Sequence, residues 1–96
     1  MRKITQQASE AFLAMRPFKA GNTRVVVNDA CCYAELLLHG NVIARNTGGL
    51  ISITNAGWRT NTTKERLSGL NGVSIYQTAG VWYLNGKEWN GCWVTV

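Results

Sequence analysis

Acidic residues, histidine, proline and cysteine are all scarce in this sequence: five Asp and Glu, one His, one Pro and three Cys in 96 residues. Each scarcity excludes something. Glu10, Asp29, Glu35, Glu65 and Glu88 are scattered singly, so the spacing offers no carboxylate pair of the kind glycosidases and metal-dependent nucleases use. His39 has no partner recognisable by spacing, and Cys31, Cys32 and Cys92 form no Cys-x-x-Cys motif. The expectation is therefore no metal, no cofactor and no disulfide framework. The thiols are expected to be reduced small core hydrophobes. No apolar run approaches the roughly 18 residues of a membrane span. Thr5, Gln6, Gln7, Ser9 and Glu10 interrupt what a signal peptide would need to be apolar. Gly48-Gly49 has neither the glycine spacing nor the following helix of a phosphate-binding fingerprint. With no placed nucleophile and base, a binding protein is expected in place of an enzyme. A small hydrolase is the least favoured alternative.

What is present is the composition of a folded domain: 46% hydrophobic, 16% charged, with four Trp, three Tyr and two Phe. One domain over residues 1–96 is the expectation for this length. The net charge of +5 suits a soluble surface and also a phosphate-rich or acidic partner.

The pattern of residues predicts α+β architecture. Ile4, Ala8, Ala11, Phe12 and Met15 recur at helical spacing, with Thr5 as N-cap and Pro17 as the stop. Strands are expected over 23–27, 31–39, 42–45 and 50–54, joined by Asn28-Asp29, a type II′ turn at Gly40-Asn41, and Asn46 to Gly49. Four strands with short turns form an antiparallel meander. On the second, Cys32, Ala34, Leu36 and Leu38 share one face, and Tyr33, Glu35, Leu37 and His39 the other. Thr62-Thr63-Lys64-Glu65 has the capping-box form and starts a short second helix, which Asn71-Gly72 ends. C-terminal hairpins follow, from strands over 73–77, 81–84 and 92–96 with Asn85-Gly86 and Asn90-Gly91 as turns.

Two places qualify as partner-binding sites. At the second helix, free backbone N–H groups, Thr62 and Thr63 hydroxyls and the cations of Arg59, Lys64 and Arg66, beside Trp58, would hold a phosphate or a carboxylate. Exposed basic side chains there would contribute little to folding. In the C-terminal aromatic cluster, Trp82 and Tyr83 must point to opposite faces of a strand, so one ring is available to stack on a base or anchor a protein.

The segments Leu38-His39-Gly40-Asn41-Val42-Ile43-Ala44, Gly57 through Leu67, and Val81 through Gly91 resemble a group of small, uncharacterised accessory proteins encoded by tailed bacteriophages and prophages. The resemblance implies a viral protein in the host bacterial cytoplasm. By analogy it implies a stoichiometric inhibitor of a host protein or ribonucleoprotein complex, with counter-defence (anti-CRISPR or similar) as the purpose. A binder of nucleic acid or of a nucleotide signal, using the basic helix N-terminus, is the alternative. An uncovered sheet edge or aromatic patch would support a homodimer.

Overall fold

The structure is a computed structural model and describes residues 3–57, 60–70 and 72–96. Helix α1 (Lys3–Leu13) is followed by β1 (Phe18–Ala20), β2 (Thr23–Asn28), β3 (Tyr33–Leu38), β4 (Asn41–Thr47) and β5 (Leu50–Ile53). Helix α2 (Asn61–Ser68) then leads to β6 (Ile75–Thr78), β7 (Val81–Leu84), β8 (Lys87–Glu88) and β9 (Val94–Thr95). The α+β reading holds, and the meander over β2 to β5 is present. The strands divide into two sheets, however: β1-β2-β3-β4-β5-β9 and β6-β7-β8. Strands β1 and β8 had no signal in the sequence, being three and two residues long.

Alternation decides which side of the large sheet is buried. Val25, Ala34, Leu36, Ala44 and Ile53 point inward and are buried, and Phe12 of α1 and Leu67 of α2 join them in one core. The register places Lys19, Arg24, Leu37 and Val42 in one outward row, and Val26, Glu35, Arg45, Ser52 and Thr95 in the next. Both helices lie on the inward side, so this outward face is solvated along its whole width. A bulge at Ile43 lets Leu37 face Val42 and keeps both rows in register.

Several local expectations are corrected. Thr5 is not a cap but a buried residue within α1. That helix ends before proline can act: Met15 has φ 55°, Arg16 N–H donates to Ala11 O at 2.8 Å, and Met15 N–H donates to Phe12 O at 3.3 Å. This is the Schellman pattern with Met in the place glycine usually takes. The β3–β4 hairpin turns at His39-Gly40, both with positive φ, in type I′ form in place of type II′ at Gly40-Asn41. The N-cap of α2 is Thr60, whose Oγ1 accepts from Thr63 N–H at 3.2 Å; Thr62 lies inside the helix, which ends at Gly69. Glycine at 69 is set by packing: a Cβ there would lie 2.4 Å from Thr5 Cγ2 of α1. Asn71 lies outside the described residues.

Asn85-Gly86 is a type I′ hairpin turn as expected, with Leu84 opposite Lys87. Asn85 also accepts from Ser74 N–H at 2.8 Å and donates to Gly72 O at 3.1 Å, tying the turn to the entry of β6. Gly86 sits at φ 87°, where a β-branched side chain is strained. Gly86→Val is expected to cost about 1–2 kcal/mol and to lower the melting temperature by several degrees, read by circular dichroism. An unchanged melting temperature would contradict the turn assignment. Asn90-Gly91, by contrast, makes no hairpin. The Gly91 carbonyl instead accepts from Asn55 N–H at 3.1 Å and from Thr54 Oγ1 at 2.7 Å. That docks the C-terminal segment beside β5, so β9 joins the large sheet.

Candidate functional site

The start of α2 is where the sequence concentrated its binding signals, and the structure disperses them. Thr60, Thr62 and Thr63 line a cleft of about 230 Å³ whose opposite wall is the β3–β4 hairpin, through Leu38, His39, Asn41 and Ile43. The Thr63 hydroxyl is already engaged, 3.0 Å from Thr60 Oγ1. Lys64 turns away from the cleft, donating to Gln77 Oε1 at 2.9 Å with its ammonium 5.8 Å from the Trp82 ring centroid.

Arg66 overturns the picture of solvated cations. It is 2% exposed, and its Nε donates to Thr23 Oγ1 at 2.9 Å while Nη1 donates to Thr5 Oγ1 and to Glu65 Oε1, each at 2.6 Å. One guanidinium thus joins α1, β2 and α2. Its role is structural, because desolvating a guanidinium is tolerable only when its N–H groups find fixed acceptors. Trp58 and Arg59 lie outside the described residues.

In the small sheet, Trp82 faces inward at 1% exposure, with its ring 6.3 Å from that of Trp89. Tyr83 faces outward and stacks on the half-exposed Tyr76, centroids 5.2 Å apart and planes within 12°. Opposite faces for Trp82 and Tyr83 follow from the strand, and Trp82 belongs to the core. The thiols depart from expectation too: Cys31, Cys32 and Cys92 are exposed. Cys31 and Cys32 fall in the β2–β3 loop, where Asn28 Oδ1 accepts from Cys31 N–H at 3.1 Å and the side-chain alternation has not yet begun.

The outward face of the large sheet brings together residues that the sequence did not group. Glu35 and Arg45 are cross-strand partners. A single carboxylate oxygen of Glu35 accepts from Arg45 Nε at 3.1 Å and Nη2 at 2.7 Å. Held this way, the guanidinium lies 5.6 Å from the Tyr33 ring centroid and 5.5 Å from that of Trp93. Trp93 remains 49% exposed. The result is a Tyr–Arg–Trp assembly on an open surface, set in place before any partner arrives.

Lys19 and Arg24 stand directly opposite each other further across the same face, both exposed. Alternation in β3 already indicated that Tyr33 and Glu35 share a face. Trp93 could not be placed with them, because its approach depends on β9 pairing with β5 across 40 intervening residues of chain.

Residues 1–95 match the protein family described as Kyanoviridae Gp96 protein. The chain belongs to this family of phage proteins. No curated protein and no solved structure matches it. Membership therefore supplies a viral origin, while the chemistry of the family must be read from its surface. No helix among the described residues is long and apolar enough to cross a membrane.

Proposed function

We propose that this phage protein acts by binding, without turnover, and that it occupies a host macromolecule with the open face of its six-stranded sheet, in the service of counter-defence such as the inhibition of a CRISPR complex. The observation that supports this reading is the Arg45 guanidinium held by Glu35 over the rings of both Tyr33 and Trp93. Trp, Tyr and Arg are the side chains that most often dominate binding energy, and they do so when they are fixed in advance. Around them Val26, Leu37 and Val42 supply apolar area that is only partly covered by the fold.

The test is restriction of phage growth in bacteria that carry a defence system and express this chain at graded levels. Protection should track the molar amount of the protein relative to its target and saturate near equivalence. A Trp93→Ala, Arg45→Ala double variant should keep its fold and lose protection, since two anchors are worth a combined loss of at least about a hundredfold in affinity. Protection by catalytic amounts, or full protection by the double variant, would contradict the proposal.

A further inference from the structure

We infer that the occupant of the open sheet face is a single-stranded nucleic acid; this rests on the binding role proposed above and names its partner. The first argument is electrostatic. Lys19 and Arg24 form a cross-strand pair of like charge, and neither makes an ion pair among the described residues. Such a pair disfavours the folded sheet, and an anionic ligand offsets that cost. The only carboxylate in the outward rows is Glu35, which is already committed to Arg45. The cations without local counter-charges, Lys19 and Arg24, therefore stand side by side on β1 and β2.

The second argument is the kind of contact on offer. Trp93 presents an exposed ring, which accepts a base by stacking regardless of its identity. Bases are accessible to a flat sheet surface only where they are unpaired, so a duplex cannot use this ring. Shallow grooves at the two ends of the face, one beside Arg45, Ser52 and Trp93 and one beside Lys19, Arg24 and Val26, leave both the ring and the cations open to a strand crossing the sheet.

Fluorescence anisotropy with labelled oligothymidine and oligouridine of about a dozen nucleotides, matched against a duplex of equal length, tests this. Single strands should bind more tightly than the duplex. Affinity should fall with salt along a log–log slope of about −1.4, as expected for two uncompensated cations on a single strand. Lys19→Ala with Arg24→Ala should make that slope shallower by about 1.4. Trp93→Ala should weaken binding by roughly 5- to 100-fold with the slope unchanged, and Trp93→Phe should restore most of it. No binding of either single strand at low salt, preference for the duplex, or indifference to Trp93→Ala would overturn the inference.

A photo-crosslinking residue at Thr47, exposed on the same face, separates this from the parent proposal in infected cells. A nuclease-sensitive adduct supports the nucleic-acid partner. An adduct with protein alone overturns it while leaving the binding role standing, and no adduct overturns both.

Discussion

Arg66→Ala is expected to lower the melting temperature by roughly 10–25 °C, the largest effect of any change to a charged residue among the described residues. The guanidinium is buried and donates to Thr5, Thr23 and Glu65, on three separate elements. Truncation removes the guanidinium that the one-third-exposed Glu65 carboxylate and the Thr5 and Thr23 hydroxyls bind. Removing one member of a buried pair typically costs about 3–5 kcal/mol, and the partial exposure of Glu65 puts this case at the lower end. For a domain near 100 residues each kcal/mol moves the midpoint by about 4–8 °C. Lys64→Ala, two positions away but at the surface, should change it by no more than a few degrees. Arg66→Met, which fills the volume, should fall between parent and Ala. If Arg66→Ala melted with the parent, the buried network would not be what joins the helices to β2. Any triple replacement of Arg59, Lys64 and Arg66 would report on folding before it reported on binding.

Trp82→Ala should destabilise the protein by about 3–5 kcal/mol, the usual cost of emptying a large aromatic site in a core. Trp82 is among the largest fully buried side chains, and it holds the small sheet together through Trp89 and through the Lys64 ammonium over its ring. Tyr83→Ala, one residue along, loses a stacked pair at the surface and should cost only about 0.5–1.5 kcal/mol. Chemical denaturation of both variants measures the contrast. Equal losses would mean that Trp82 is not packed as described, and would reopen it as a surface for a partner.

The capping signal before α2 was legible to within two residues, because Thr60, Thr62 and Thr63 are all competent caps by chemistry. Which of them serves depends on the path of the chain arriving from β5. The thiols show a different failure. Alternation counted back from Leu38 puts Cys32 on the inward face, but the pairing of Asn28 with Tyr33 ends the ladder one residue short of it. Arg66 is the most instructive. A basic residue in a capping-box helix reads as solvated, and nothing local reveals that Thr5 and Thr23, 61 and 43 positions earlier, supply its acceptors.

Period-two alternation, β-branched density and the Asn-Gly turn were sufficient to establish α+β architecture, the meander and the inward set Ala34, Leu36 and Leu38, because those signals act between near neighbours in the chain. The outcome at the surface was decided only in three dimensions. Docking of the Gly91 carbonyl on Thr54 and Asn55 delivers β9 to β5 and Trp93 to Arg45. Placement of α1 against α2 draws Arg66 inward and away from any partner. Both events join residues tens of positions apart, and the free energy that selects them comes from burial and hydrogen bonds absent from any local segment.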